Sequence, residues 1–400
     1  MKIAAILIGL LLVPFQAAVQ EIQHEASVVN VEVPLRVYDN GVFVKDLTIE
    51  DLELFEDGVR QKIEALYLIE HSAIKRIEEN KPYKPETARH FYIFFEITEY
   101  SPKMDEALNH FFKNVYTSED SLTVVTPRKT YRLKREILEG IPKETIVQQI
   151  KKILHQDAWM GNAEYRDIIK EMIHALKLFS NSEGTQVALE AADDADGNLL
   201  SWDKYELLRD ELESFRTINA QKLYDFAQYL KNKTGQKNVY IFYQREYIPE
   251  LDQETFFRMM GHNVVEQQLK LNDYWGFSPR SHAFDTERIK KAYADSSITI
   301  NFLFFSKPSD HTHGVEMAEH SADYFSAFSE MSKATGGISA SSADPTFLFQ
   351  KAGDASQNYY LLYYTPNAYR PDGKFKQITV KVKVRGKSCK IAHRAGYFAN

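Results

Sequence analysis

The sequence predicts an α/β protein in which a doubly wound, mostly parallel sheet flanked by helices is inserted between two β segments. The first observation is the run 91–95, which is apolar, rich in aromatic residues and too short for a helix. Such a run is typical of a strand buried on both faces. The second is an alternation of strand and helix patterns, repeated at least four times after residue 90. The third is that both ends of the chain have the pattern of β-hairpins, which we expect to pair because neither can bury its apolar face alone.

The N-terminal segment predicts an exported protein. Residues 1–18 combine Lys2, an apolar run and the small pair Ala17 and Ala18, as is typical of a secretory signal peptide. The run is shorter than the ~20 residues that a spanning helix needs, so we expect no membrane span after cleavage. The mature protein is therefore predicted to be periplasmic or extracellular. A net charge of −7 gives no support for a nucleic-acid partner, and a single cysteine, Cys389, excludes an internal disulfide.

The chain divides into the signal peptide and four further regions. Apolar and polar residues alternate from Val29 to Val37, which predicts a half-buried antiparallel strand. Alternation returns near the C-terminus, from Phe375 to Arg385. The predicted regions are an N-terminal β module at 26–70, a charged linker at 71–88, an α/β domain at 89–345 and a C-terminal β segment at 356–398. We expect the two β regions to pack together as a small β-sandwich.

Periodicity and capping residues predict the elements of the α/β domain. Ser101 and Pro102 are typical of a helix start, whereas Gly336 and Gly337 are typical of a helix end. The predicted strands are 91–95, 121–126, 238–243 and 297–305. The predicted helices are 101–114, 143–155, 163–180, 203–232, 252–270, 286–294 and 316–334.

Polar side chains follow the first strand of this domain at alternate positions: Glu96, Thr98 and Tyr100. In open α/β sheets, ligands bind in the crevice outside the carboxyl ends of the strands. These three residues are therefore candidates for the rim of a binding site.

Several motifs resemble those of secreted bacterial proteins related to the von Willebrand factor A (VWA) domain. The matching segments occur in the order typical of that family and span nearly the whole mature chain; they are Val33–Val37, Leu47–Gln61, Ala334–Gly337, Tyr360–Pro366 and Arg394–Tyr397. The resemblance implies a VWA-like fold. It also implies a metal-ion-dependent adhesion site at the carboxyl edge of the sheet, through which such domains hold Mg²⁺ or Mn²⁺ and engage an acidic group of a partner.

The resemblance further implies that this adhesion site is degenerate. Glu96, Thr98 and Tyr100 stand where the family has Asp-x-Ser-x-Ser, Asn162 stands at the position of a threonine, and Gln244 stands at that of an aspartate. Only Glu96 is negatively charged, whereas carboxylates normally offset the cost of dehydrating a divalent cation. We therefore expect no cofactor, or at most weak binding of Mg²⁺ or Ca²⁺, and a rim whose polar residues bond to one another.

Two other groups of residues have partial metal-site patterns. Asp194, Asp196 and Asp203 match three positions of a calcium-binding loop, but Ala192 at its first position has no side-chain oxygen, which favours a solvated acidic loop. Glu316 and His320 share one face of a predicted helix that His313 could reach, but no fourth zinc ligand of known spacing accompanies them.

These patterns lead to three hypotheses for function. The first is an exported, non-enzymatic protein-binding or scaffold protein that engages another protein through the rim around Glu96, Asn162 and Gln244. The second is a metal-dependent adhesion domain that holds Mg²⁺ or Ca²⁺. The third is a hydrolase with an unrecognised site, which ranks last because the sequence has no glycine-rich phosphate loop, no Gly-x-Ser-x-Gly elbow and no His-Glu-x-x-His.

Overall fold

A computed structural model describes residues 29–133, 140–181, 193–215, 218–260, 284–306, 314–383 and 389–400. The predicted signal peptide lies outside these residues. The strands are β1 (Val31–Asp39), β2 (Val42–Phe43), β3 (Leu52–Glu56), β4 (Val59–Gln61), β5 (Ala65–Glu70), β6 (Ala73–Glu79), β7 (Arg89–Glu96), β8 (Ser121–Val125), β9 (Thr130–Leu133), β10 (Gln236–Gln244), β11 (Tyr247–Leu251), β12 (Ile298–Phe305), β13 (Val315–Glu319), β14 (Ser339–Ser342), β15 (Asn358–Tyr364), β16 (Phe375–Val382), β17 (Lys390–His393) and β18 (Gly396–Phe398). The helices are α1 (Met104–His110), α2 (Lys143–Gly161), α3 (Ala163–Asn181), α4 (Asp193–Phe215), α5 (Ala220–Lys231), α6 (Gln253–Met260), α7 (Thr286–Asp295), α8 (Ala322–Ala334) and α9 (Pro345–Gln357).

These strands form four sheets. One has the order β17-β1-β15-β5-β6, with β2 paired to β1, and a second has the order β14-β12-β10-β7-β8-β9. A two-stranded sheet joins β11 to β13, and a four-stranded sheet has the order β18-β16-β3-β4. We call the second of these the central sheet. Its strands β14, β12, β10, β7 and β8 pair in parallel, and β9 pairs antiparallel to β8.

The predicted fold class is wrong. Every pairing in the other three sheets is antiparallel, and the central sheet is itself mixed. The described chain is therefore a mixed α/β protein with mostly antiparallel sheets, not a doubly wound, mostly parallel VWA-like sheet with appended β segments. The alternating strand and helix patterns in the sequence did not indicate the short antiparallel strands. One of them, β13, occupies the first part of the stretch 316–334 that was predicted to be a helix.

Strands from the two ends of the chain share two sheets. β1 lies between β15 and β17, and β3 pairs with β16. Val33, Leu35 and Leu362 belong to one buried cluster between these sheets. Arg36, which is also buried, donates hydrogen bonds from β1 to the carbonyl oxygens of Gly336 and Ala355. These hydrogen bonds connect β1 to the turn after α8, which contains Gly336, and to α9, which contains Ala355.

Two helical layers cover the central sheet. Alternate residues of β7, such as Phe91 and Phe95, pack in a cluster with α1, α2 and α9. Tyr92 of β7 packs on the opposite face, in a cluster with α5, α7 and α8. β7 is thus covered on both faces, which explains its continuous apolar sequence.

A separate group of helices extends from this core. α3 and α4 pack against each other and against β11 around the buried Trp202 and Tyr205. The Tyr205 hydroxyl donates a hydrogen bond to the Pro249 carbonyl oxygen at 2.8 Å. The stretch 203–232, predicted as one helix, is divided between α4 and α5, and the Asn219 side chain caps α5 by accepting a hydrogen bond from the Lys222 N–H. Among the described residues, we find no helix that is both long and apolar enough to cross a membrane.

Candidate functional site

The candidate site is a pocket at the carboxyl end of β7 and β10. Glu96 ends β7 and lies opposite Tyr243 in the parallel pairing with β10, so Gln244 follows directly on the neighbouring strand. The pocket has a volume of about 580 Å³. We call it the Glu96 pocket. Its lining residues come from the ends of β7 and β10, from the junction of α2 and α3, from the end of α4 and from α5 with the residues before it; they include Phe94, Glu96, Ile97, Thr98, Gly161, Asn162, Phe215, Ile218, Lys222, Leu223, Phe226, Ile241, Tyr243, Gln244 and Glu246.

Gln244 holds the loop that follows β7. Its side-chain oxygen accepts hydrogen bonds from the backbone N–H groups of Thr98 at 3.1 Å and Glu99 at 3.3 Å. The Gln244 side chain is buried, and these hydrogen bonds satisfy its oxygen, which would be costly to bury without a partner. Gln244 therefore positions the backbone of the rim.

Asn162 ties the junction of α2 and α3 to the same loop. Its side-chain nitrogen donates hydrogen bonds to the carbonyl oxygens of Ile97 and Ala158, both at 2.9 Å. Gly161 precedes it, and a Cβ atom there would lie 2.9 Å from the Cβ of Pro127. A glycine is needed at this position because the helix end approaches the segment after β8 closely.

Four of the five predicted rim residues line the Glu96 pocket, namely Glu96, Thr98, Asn162 and Gln244. Tyr100 lies outside it. The Tyr100 hydroxyl donates a hydrogen bond to the Asp105 carboxylate at the start of α1. Burial, together with this bond, raises the pKa of Tyr100.

Glu96 is the chemically distinctive group of the pocket. Its side chain reaches water within the pocket, but the surrounding protein atoms reduce its hydration, and this desolvation raises the pKa of the Glu96 carboxyl. Within the described part of the chain, Glu96 has no hydrogen bond or ion pair that would offset the cost of its charge. Glu246 differs, because its carboxylate accepts a hydrogen bond from the Tyr243 hydroxyl.

We expect Glu96→Gln to be more stable than the wild-type protein at pH 8. An acid whose pKa is raised on folding stabilises the fold fully below its unfolded pKa, about 4.3 for glutamate, and that stabilisation is lost as pH rises through the folded pKa. Glutamine carries no charge and avoids the loss. Urea unfolding at several pH values should therefore give a stability difference that is absent below about pH 4 and grows with pH.

Glu164→Gln is the matched control for this effect, because Glu164 is exposed and does not line the pocket. It should show no comparable pH-dependent gain. Equal stability of Glu96→Gln and wild type at pH 8 would contradict the unpaired state of the Glu96 carboxylate.

The other predicted metal residues lie in elements that differ from those the sequence predicts. Asp194, Asp196 and Asp203 lie on α4, whose backbone is helical, so the segment is neither the calcium loop nor the solvated acidic loop that the sequence suggested. His320 follows β13, not a helix, and its Nε2 lies 2.5 Å from Oε1 of Glu250; His313 lies outside the described residues. In the described ranges, no group of three or more His, Cys, Asp or Glu residues is placed to hold a metal ion.

Sequence reasoning missed an exposed apolar surface beside the pocket. Trp159 is 64% exposed and Met160 is 50% exposed at the end of α2, immediately before Gly161 and Asn162. The guanidinium carbon of Arg166 lies 4.1 Å from the centre of the Trp159 ring, which holds the indole in place. The signal available in the sequence was a Trp-Met pair shortly before Asn162.

Comparison with known proteins identifies no family. No family model and no curated protein matches the chain. Among solved structures, the chain is similar to the human COPII-coat protein Sec24c, with a TM-score of 0.28 and 8% sequence identity. The match covers 80% of this chain and 44% of that chain, so this chain spans less than half the length of that structure. A likeness at this level supports no inference about fold or function.

The resemblance to VWA-related proteins is therefore corrected. No family model matches, and the sheets are mostly antiparallel instead of forming the parallel sheet that the resemblance implies. The interpretation of the rim as a degenerate adhesion site depended on that resemblance and is withdrawn with it.

Proposed function

We propose that this chain is an exported, non-enzymatic binding protein that docks a segment of another protein at the mouth of the Glu96 pocket. The observation that carries the proposal is the group of exposed apolar side chains around a pocket with an unpaired carboxylate. Trp159, Met160 and Phe215 are all at least 46% exposed, and Phe215 itself lines the pocket. Exposed apolar patches of this kind are typical of interaction sites.

Trp159 is suited to be an anchor for such a partner. Tryptophan and arginine are enriched among the few residues that contribute most to binding energy in protein interfaces. Arg166 stacks on Trp159 and also donates to the carbonyl oxygen of Thr98, at 3.5 Å, on the pocket rim. Because the Trp159 indole is already held beside the pocket, a partner can contact the indole and the pocket without the entropy cost of fixing this side chain on binding.

A hydrolase is the second candidate, because Glu96 and Glu246 line the same pocket. Pairs of carboxyl groups catalyse hydrolysis in many glycosidases when both reach the substrate. We rank binding first because Glu246 is buried and its carboxylate is engaged by the Tyr243 hydroxyl.

The test is a selection of short random peptides displayed on phage against the immobilised chain. We expect enriched peptides to bind Trp159→Ala at least about tenfold more weakly, because truncating an interface anchor costs ~2 kcal/mol or more. Phe257→Ala is the matched control, since Phe257 is a 59% exposed aromatic residue that does not line the pocket. Affinities of purified peptides for the three proteins would be measured by calorimetry.

Two further arms separate the alternatives. Binding should be unchanged when a chelator replaces Mg²⁺ and Ca²⁺, whereas loss on chelation would favour the metal-dependent alternative. Peptides that bind the two alanine variants equally well, or no enrichment at all, would overturn the proposed docking surface.

A further inference from the structure

We propose that the Glu96 pocket receives a basic side chain, lysine or arginine, of the bound protein. The charged end of that side chain pairs with Glu96, and its alkyl stem lies against the apolar walls of the pocket. This inference rests on the proposed function and adds to it the chemistry of the group that enters.

The first step of the argument is the unpaired carboxylate. A carboxylate that loses its water when a ligand fills the pocket costs free energy unless a partner of opposite charge or a set of hydrogen-bond donors satisfies it. Glu96 has neither among the described residues. Lys222 lines the same pocket, but it makes no ion pair with Glu96. A cation from outside would supply the missing partner.

The walls of the pocket suit the stem of a long basic side chain. Phe94, Leu223 and Phe226 line the pocket on the face of the sheet to which Glu96 belongs. Lysine and arginine bury their methylene stems along such apolar surface while their charged ends find a polar partner. The Phe94 and Phe226 rings meet edge to face, with centroids 5.3 Å apart, and a ring face exposed to the pocket also attracts cations.

Other ligand classes fit this pocket less well. An anion would be repelled by Glu96, and a wholly apolar group would bury the carboxylate without a partner. A divalent cation needs several oxygen ligands, but Glu246, the other carboxylate lining the pocket, is engaged by Tyr243. The volume of about 580 Å³ exceeds that of one side chain, so residues flanking the basic one would also enter.

The pairing implies a direction for the pH dependence of binding. A cation binds the ionised carboxylate, and burial raises the pKa of Glu96. Affinity should therefore rise as pH increases through that pKa and level off above it. The other titratable groups that line the pocket are Tyr165, Lys222, Tyr243, Glu246 and Tyr293.

The test uses two small probes that share a four-carbon side-chain stem. Nα-acetyl-lysine methylamide ends in the cation, and Nα-acetyl-norleucine methylamide lacks it. Binding to the whole chain would be followed by NMR line broadening or chemical-shift change of the probe at pH 8. We expect the lysine probe to bind at least about tenfold more tightly than the norleucine probe.

Glu96→Gln is expected to remove this preference, and Glu164→Gln, the same change at an exposed glutamate outside the pocket, is expected to retain it. Equal binding of the two probes, or a preference that survives in Glu96→Gln, would overturn the inference. So would an affinity for the lysine probe that falls as pH rises.

A double variant tests whether the chain supplies its own cation. Arg216 follows Phe215 in the sequence and lies outside the described residues, whereas Lys222 lines the pocket. If the lysine probe binds only after Arg216→Gln and Lys222→Met are combined, the cation of this pocket belongs to the chain itself and the inference is wrong.

The two proposals can fail separately. If the lysine probe binds in a Glu96-dependent way but no peptide is selected, the proposed protein partner is wrong and the pairing of a basic group with Glu96 stands. If the selected peptides lack basic residues and bind Glu96→Gln as tightly as wild type, the pairing is wrong and the proposed docking surface stands.

Discussion

Asp120→Ala should cost about 3–5 kcal/mol of unfolding free energy, because it leaves a fully buried guanidinium without its partner. Arg89 begins β7, and its Nε and Nη2 donate to the two carboxylate oxygens of Asp120 at 2.9 and 2.7 Å. Both side chains are at most 1% exposed. The Asp120 carboxylate also accepts hydrogen bonds from the N–H and hydroxyl of Thr117. Urea unfolding at pH 7 would measure the loss.

A double variant distinguishes the broken ion pair from loss of packing. Replacing both charges, with Arg89→Met and Asp120→Leu, removes the unpaired charge and should recover much of the stability. Asp167→Ala is the control for an exposed pair, since the Asp167 side chain is 69% exposed and that of its partner Lys170 is 74% exposed, and it should cost no more than about 1 kcal/mol. A loss below about 1 kcal/mol in Asp120→Ala would contradict the expected contribution.

Gly337→Ala should be the other strongly destabilising change, with a cost of about 3 kcal/mol or more. An added Cβ atom would lie 1.8 Å from the carbonyl oxygen and 2.6 Å from the carbonyl carbon of Ile300. These are backbone atoms of β12, in the interior of the central sheet, so no flexible side chain can move aside. The strand and the turn after α8 would have to separate. Chemical denaturation and the yield of folded protein would both report the effect.

Gly140→Ala is the matched control for this substitution. In the part of the chain that the structure describes, nothing lies within 4 Å of a Cβ atom built there, and the φ angle of Gly140 is not in the left-handed region. We expect its stability to stay within about 1 kcal/mol of wild type. If both alanine variants unfold at the same denaturant concentration, the close approach of Gly337 to β12 is wrong.

The sequence was most informative where its patterns are local. The continuous apolar run at 91–95 indicates β7, and a similar run indicates β10. The alternating oxygens after residue 95 indicated a crevice, and Glu96 and Thr98 do line the pocket. Tyr100, the third residue of that alternation, lies outside the pocket.

The sequence was least informative where structure depends on distant partners. β9 and β13 are short and partly polar, so only their pairing with β8 and β11 makes them strands, and the fold class was mispredicted for this reason. The pocket walls come from α5, more than a hundred residues after Glu96 in the chain. Neither the apolar surroundings of Glu96 nor the exposure of Trp159 could be read from spacing alone.

The sharing of sheets by the two ends of the chain also bears on how the protein reaches its native state. Glu32 of β1 and Tyr363 of β15 are 331 positions apart in the sequence, yet their side chains are hydrogen-bonded. Because β1 also needs β15 as its partner, it cannot complete its sheet until residues 358–364 have been synthesised. Contacts of such long range slow folding, so we expect the pairing of β1 with β15 to form late. A version truncated before β15 should remain open to proteases throughout its N-terminal strands.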